Sequence, residues 1–250
     1  RTNLNQYSPL ETARYLLQHP ELDPEWRRHA GGILEWVRSV FAADSVTMAG
    51  LPEKGRQWGA DVVSEQVNDM DKMSSHTARY ASVWALWHAK TGDPEAKERA
   101  FRSFNWATYA SRENGLVKSS LDEGTGYWFS DGYGDYMRHF LRGIAAVPEW
   151  APAGVPHCLS STSVIRDIRY GADAISYTTF EKASSEVLRL PRAPAAIRAG
   201  SKSLSRVPGL EGVREGYSLE TMAKGGVVVR VKHARSPKIT ILLKRPRPDR

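Results

Sequence analysis

The chain reads as an α + β, multidomain protein: helical hairpins followed by a small antiparallel β-sandwich. Three observations predict this. The first is a repeat at an offset of 70 residues, in which Asp23-Pro24-Glu25 returns as Asp93-Pro94-Glu95, Ala30 as Ala100 and Trp36 as Trp106. An apolar helical stretch precedes each Asp-Pro-Glu, around Tyr15-Leu16-Leu17 and Ala85-Leu86-Trp87, so the repeated unit is a helical hairpin with a short turn and a long return loop. The second is a change of apolar period near Pro148, from helical to two-residue alternation. The third is segregation of residue types. All eight Trp lie in residues 1–150, which carry 17 Lys/Arg against 20 Asp/Glu, whereas residues 151–250 carry 18 against 8. The expected organisation is an α-hairpin domain over 1–150, a linker over 151–162, a sandwich over 163–244 and a loose tail over 245–250.

The elements follow from local chemistry. Ser8, Pro9 and Glu11 supply a hydroxyl cap, a proline at the first helical position and a capping-box acid, so helix one runs from about Ser8 to Gln18 and stops at His19-Pro20. Asp23 with Pro24 starts helix two, which runs to about Phe41. A long loop over about 44–74 follows, and Ser74 or Ser75 is expected to cap helix three, which ends at Thr91-Gly92. Asp93-Pro94 starts helix four, which runs to about Arg112. A second long loop over 114–130 leads to helix five, from about Gly132 to Ala146. Beyond the Pro-rich stretch at 148–156, the segments 164–168, 175–179, 186–190, 196–198, 227–231 and 239–241 are short, β-branched and alternating, and read as strands.

Composition excludes several classes. With 41% hydrophobic and 25% charged residues the 250-residue chain is ordinary for a folded globular protein. No run of about 18 apolar residues exists, so no membrane span is expected. A single cysteine, Cys158, excludes an intramolecular disulfide and a cysteine-based zinc site, and leaves the compartment open. The chain starts at Arg1 in a polar stretch without a signal peptide, which reads as a fragment or a processed product with further hairpins upstream. The basic half has no Trp, which argues against nucleic acid, where basic and aromatic residues interleave. Neither cofactor nor metal is expected. Glu65, Asp69 and Asp71 do not match the spacing of an EF-hand loop, Gly132-Tyr133-Gly134 lacks the strand a dinucleotide site needs, and no Gly-x-Ser-x-Gly is present.

The unusual polar residues collect where the long loops deliver the chain to the inner helices: three and five, which are the more apolar, and one, taken as inner with them. Asn3, Asn5, Gln6 and Tyr7 precede helix one. Glu65, Gln66, Asn68, Asp69, Asp71, Lys72, His76, Arg79 and Tyr80 surround the start of helix three. Trp128, Asp131, Tyr133, Asp135, Tyr136 and His139 surround the start of helix five. Three segments thus converge on one rim. His76 in a first helical turn has its charged form disfavoured by the helix dipole, and a neutral imidazole suits a general base. Trp58 and Trp128, in the long loops, suit stacking on a sugar ring, whereas Trp84, Trp87 and Trp106 at helical spacing suit a core. Structural roles are equally open to Asp71 and Asp131 as caps, to Arg79 as an ion-pair partner, and to Tyr133 and Tyr136 as loop packing.

The stretches Trp58-Gly59-Ala60-Asp61-Val62-Val63-Ser64-Glu65, Ser75-His76-Thr77-Ala78-Arg79-Tyr80 and Trp128-Phe129-Ser130-Asp131-Gly132-Tyr133-Gly134-Asp135-Tyr136 resemble the acid-plus-aromatic loops of six-hairpin, (α/α)-toroid carbohydrate-active enzymes. The resemblance implies the C-terminal hairpins of a toroid followed by a sandwich, acting on a polysaccharide or oligosaccharide. As a glycoside hydrolase it would use Glu65 as acid and Asp131 or Asp135 as base, with Asp69 in reserve. As a polysaccharide lyase on a uronate polymer it would use Asn68 and Arg79 to neutralise the carboxylate, His76 as base and Tyr80 as acid. Trp58, Lys72, Trp128, Tyr133 and Tyr136 would add substrate contacts. Hydrolysis is the first reading and elimination the second. A non-catalytic sugar-binding or structural module stands beside them, its basic sandwich docking an anionic polymer.

Overall fold

In the computed structural model, residues 4–42, 59–67, 69–109, 113 and 131–243 are described; residues 69–71 and 131–134 are described by backbone alone. The fold is α + β, with two compact units, Arg1–Val147 and Pro148–Arg250.

The first unit contains the five described α-helices: α1 (Tyr7–Gln18), α2 (Trp26–Phe41), α3 (Ser74–Thr91), α4 (Pro94–Thr108) and α5 (Asp131–Ala146). A short antiparallel hairpin, β1 (Ser64–Gln66) and β2 (Asp69–Lys72), precedes α3. α1 packs on α2, and α3 packs on α4, α5 and α1. Helix α3 is the inner element: every residue from Ser74 to Ala85 is buried. By contrast α2 and α4 each bury one stripe, Ala30, Leu34, Val37 and Phe41 in one, Ala96, Ala100, Phe104 and Trp106 among those in the other. The repeat is therefore visible as packing, since Ala30 and Ala100 both lie at 0% exposure. Where α5 crosses α4, Gly143 permits the approach: a Cβ there would stand 2.5 Å from the Phe104 ring.

The helix starts depart from expectation in an instructive way. Asp93 caps α4 as read, its Oδ1 accepting from the Glu95 and Ala96 amides at 2.9 and 3.3 Å. Gly92 closes α3 in the left-handed region at φ 78°. Asp23, its counterpart in the repeat, accepts from the Glu25 amide at 2.9 Å and takes His29 Nδ1 at 2.6 Å; residues 24 and 25 form a turn and the helix starts only at Trp26. Ser8, Ser74 and Ser75 are not caps. They lie inside helices that begin at Tyr7 and Ser74, with Gln6 and Met73 at the cap positions and no side-chain capping bond. The physical reason is that both helices grow out of extended chain already held by hydrogen bonds. Gln6 N donates to Glu65 O (3.3 Å), Val67 N to Leu4 O (3.0 Å) and Met73 N to Val63 O (3.2 Å). The β-hairpin also corrects the reading of 44–74 as one long loop. Replacing Asp93 by Ala is expected to cost about 1–2 kcal/mol, measured by urea unfolding, because two amide donors lose their acceptor.

The second unit is two antiparallel sheets on a common core. The strands are β3 (His157–Ser161), β4 (Ile165–Tyr170), β5 (Ala174–Thr179), β6 (Ser184–Leu190), β7 (Pro194–Ala199), β8 (Lys202–Ser203), β9 (Gly216–Thr221), β10 (Val227–His233) and β11 (Lys238–Leu243). One sheet has the order β3-β6-β10-β9 and the other β4-β5-β11-β7-β8. Ile175, Leu188, Leu190, Ile197, Val229 and Ile241 lie between the sheets at 0% exposure. The linker expected over 151–162 is in part an edge strand: β3 pairs with β6, with a register shift between Cys158 and Ser160 that hid its alternation. No helix among the described residues is long and apolar enough to cross a membrane.

Candidate functional site

The site is assembled at the starts of α1, α3 and α5. The chain before α1 runs antiparallel beside β1, with Asn5 bridged to Gln66, and so sets Gln6 and Tyr7 against Glu65. The first turns of α3 present His76 and Arg79, and the first turns of α5 present Asp135 and His139. These three segments are the ones read as a converging rim.

His76 is the hub. Its Nδ1 lies 3.1 Å from Gln6 Nε2, its Nε2 3.3 Å from the Tyr7 hydroxyl and 3.8 Å from a Glu65 carboxylate oxygen. The Tyr7 ring meets the imidazole edge-on, with centroids 5.0 Å apart. Against the face of the Tyr7 ring sits the Arg79 guanidinium, 4.1 Å from the centroid. Burial, reinforced by the Arg79 charge, lowers the His76 pKa to about 4, so the imidazole is neutral at pH 7. The dipole of α3 acts in the same direction, but removal from water is the larger cause. Burial and the Glu65 carboxylate raise the Tyr7 pKa to about 12, so the phenol keeps its proton. The Gln6 amide governs the tautomer. An amide N–H on Nδ1 puts the ring proton on Nε2; an amide oxygen there puts it on Nδ1 and frees Nε2 to accept from Tyr7.

Arg79 is held from behind. Its Nη2 donates to Asp135 Oδ2 at 2.8 Å and its Nε to His139 Nε2 at 3.2 Å. Because His139 Nε2 accepts, Nδ1 carries the ring proton, and it lies 3.3 Å from Ser82 Oγ. Ser82 also accepts from Arg14 Nη2 at 2.7 Å and donates to the Arg79 carbonyl at 2.7 Å. Burial lowers His139 to about 4 and Arg14 to about 10. Asp135 is held far below the usual carboxylate range: its burial works against this and is outweighed by the charge and hydrogen bond of Arg79. Its second oxygen pairs with Arg138.

Several sequence-derived assignments change. Tyr80 is not a site acid: it is fully buried, and its hydroxyl donates to Asp61 Oδ2 at 2.9 Å on the side facing α4. Lys72 is not a substrate contact, because its ammonium is buried and donates to the Phe41 carbonyl at 2.7 Å, tying β2 to the end of α2. Tyr136 is buried and stacks on Phe140 at 5.9 Å, so it packs α5 instead of facing the rim. Asp135 is a poor base, since guanidinium groups engage both of its oxygens. Arg79 is an ion-pair partner, as one reading held, and its acid is Asp135. Asn3, Trp58, Asn68 and Trp128 lie outside the described residues, and the side chains of Asp69, Asp71, Asp131 and Tyr133 do too. Tyr7 was placed on the rim by sequence but given no chemical role; its offset of 69 from His76, one short of the repeat, is the signal that pairs them.

A groove of about 260 Å³ opens elsewhere, around Asp61, Glu98, Arg99 and Arg102. Asp61 there is taken by Tyr80, Arg99 and Arg38, and Arg102 by Glu98, so its charges are spent on each other. Among the described residues no cluster of His, Cys, Asp and Glu could hold a metal ion. No protein-family model matches the chain, and no curated protein matches it.

Proposed function

We propose that the chain is part of a carbohydrate-active enzyme of the (α/α)-toroid type, and that its chemistry is β-elimination at a uronate residue of a polysaccharide. The observation that carries this reading is the contact between the Tyr7 hydroxyl and His76 Nε2 at 3.3 Å, over the Arg79 guanidinium. Elimination needs a base for the proton beside the uronate carboxylate and an acid for the leaving oxygen. A phenol kept protonated beside an imidazole kept neutral supplies both within one contact. With the Gln6 amide nitrogen at Nδ1 the ring proton sits on Nε2, so His76 takes the substrate proton through Nε2 only after the amide turns its oxygen to Nδ1 and holds the ring proton there. Tyr7 delivers its proton to the leaving oxygen, and Arg79, lying under the ring, stabilises the phenolate that forms. Asp135, His139 and Ser82 hold Arg79 in that position.

Hydrolysis calls for two carboxylates about 5–9.5 Å apart, one free to act as acid and the other as base or nucleophile. Glu65, half-exposed beside His76, remains available for it, but Asp135 is locked between two guanidinium groups. Elimination is preferred because its acid and base, Tyr7 and His76, are a described pair in contact, whereas the base left to hydrolysis is Asp131, whose side chain lies outside the described residues. The test is incubation of the full chain with polygalacturonate and alginate while following the absorbance of unsaturated uronate ends. The expected result is turnover that falls about 10²–10⁴-fold in His76→Ala. Reducing ends released without unsaturation, and lost in Glu65→Gln and Asp131→Asn, would overturn elimination in favour of hydrolysis.

A further inference from the structure

The five-stranded sheet of the second unit turns one face to the core and the other to solvent, and the solvent face carries an ordered row. Arg169 on β4 pairs with Ser176 on β5, Ser176 with Thr240 on β11, Thr240 with Arg198 on β7, and Arg198 with Ser203 on β8. The adjacent inward row, Ile175-Ile241-Ile197, is fully buried, so by the two-residue alternation of a strand this row faces outward. Arg169, Ser176, Arg198 and Ser203 are exposed and Thr240 is half-exposed. The next outward row is Asp167-Thr178-Lys238, and beyond the first lies Ala174-Leu242-Ala196, without a bulky wall. The two guanidinium groups stand three strands apart, about 14 Å at the usual strand spacing, with only hydroxyls between them. The ion pairs of this unit use Lys202, Arg230, Arg235 and His233, leaving Arg169 and Arg198 without a carboxylate partner among the described residues.

We infer that this face is a binding surface for an acidic polysaccharide, whose carboxylates pair with Arg169 and Arg198 while Ser176 and Thr240 meet the sugar hydroxyls between. The charge is complementary, since residues 151–250 hold 18 Lys/Arg against 8 Asp/Glu. A row of short hydroxyl side chains makes a flat floor that an extended polymer can lie along, and guanidinium groups suit bidentate carboxylate contacts. Nucleic acid is disfavoured because the row offers no aromatic side chain on which a base could stack. That the polyanion is a polysaccharide rests on the function proposed above; the cationic row does not.

The test is binding of polygalacturonate to the full chain by calorimetry at low salt, with neutral dextran and duplex DNA as comparisons. The expected result is binding to polygalacturonate but not dextran, weakened about tenfold in the Arg169→Ser/Arg198→Ser double variant. A charge-matched double variant off the row, Arg214→Ser/Lys224→Ser in the loops before and after β9, is expected to bind like the parent. Equal weakening in both double variants would show diffuse attraction and overturn the proposal. Unchanged affinity in the first, or tighter row-dependent binding to DNA, would overturn it too. Unaltered unfolding temperatures establish that the variants are folded. A parent chain that yields no unsaturated uronate ends yet binds polygalacturonate through the row would defeat the proposed reaction and leave this surface standing.

Discussion

Tyr7→Phe is expected to lower kcat on a polyuronate by about 10²–10⁴-fold with little change in KM, because the ring and its contact with Arg79 remain while the proton donor is lost. The pH profile separates this role from a packing role. With His76 lowered to about 4 by burial, kcat/KM is expected to hold from neutral pH downward and to fall only near pH 4, as the imidazole takes up a proton and ceases to be a base. With Tyr7 raised to about 12, the parent keeps its acid through the alkaline range, and any high-pH limb due to loss of that proton is absent in Tyr7→Phe. An acid limb at the ordinary histidine value near 6.5, or full activity in Tyr7→Phe, would defeat the assignment. The same lowered pKa is a stability statement. A histidine whose folded pKa lies below its unfolded value stabilises the fold fully above about 6.5 and loses that contribution as pH falls toward 4.

The largest stability effect is expected at Glu186, the one carboxylate at 0% exposure among the described residues of the second unit. It points inward from β6 between Ser184 and Leu188, where the alternation calls for an apolar residue. Its oxygens receive the Tyr177 hydroxyl at 2.9 Å, the Ser161 hydroxyl at 3.2 Å and the Ser184 hydroxyl, and His233 Nε2 stands 3.1 Å away. His233 lies at 1% exposure, and its Nδ1 donates to the Lys182 carbonyl at 2.9 Å. Burial opposes both charges, yet the partners win: Glu186 is lowered and His233 raised. Glu186→Ala leaves a buried histidine and three hydroxyls without their acceptor. The expected cost is about 3–5 kcal/mol, read from chemical unfolding of the full chain. The pH signature follows from the two directions. The Glu186 contribution is present above its unfolded pKa near 4.5 and lost as pH falls through the lowered folded value. The His233 contribution is present below its unfolded pKa near 6.5 and lost as pH rises through the raised value. The pair therefore helps most between about 4.5 and 6.5, and Glu186→Ala should flatten that optimum. A variant that unfolds with the parent's midpoint and pH dependence would show the network to be idle.

How much of this was legible in the sequence depends on whether the cause was local. Asp93-Pro94 and Gly92 signal their cap and stop within a few residues, and both were read correctly. Ser8, Ser74 and Ser75 carry the same local signal and mislead, because the strand-like contacts of Leu4 and Gln6 with residues 65–67, and of Met73 with Val63, span large gaps in sequence. Strands β5, β6, β7, β10 and β11 announce themselves by alternation; β3 does not, because its register shifts beside Cys158. The same distinction divides the site. Convergence of the three helix starts followed from the hairpin repeat. Tyr80 as the acid did not survive: nearness in sequence to His76 singles it out, but its hydroxyl is spent on Asp61. Nor could the sequence foresee that Arg79 and Arg138 would occupy Asp135.

The 70-residue offset has a consequence at the level of single atoms. Gln6, at the cap of α1, and His76, in the first turn of α3, stand one repeat apart in the sequence, and their side chains touch. A repeat that keeps its packing carries residues one period apart to neighbouring places. An amide and an imidazole meet there, and the amide can set the tautomer of the ring without any new backbone. Unlike residues at repeated places thus give such a scaffold its polar contacts.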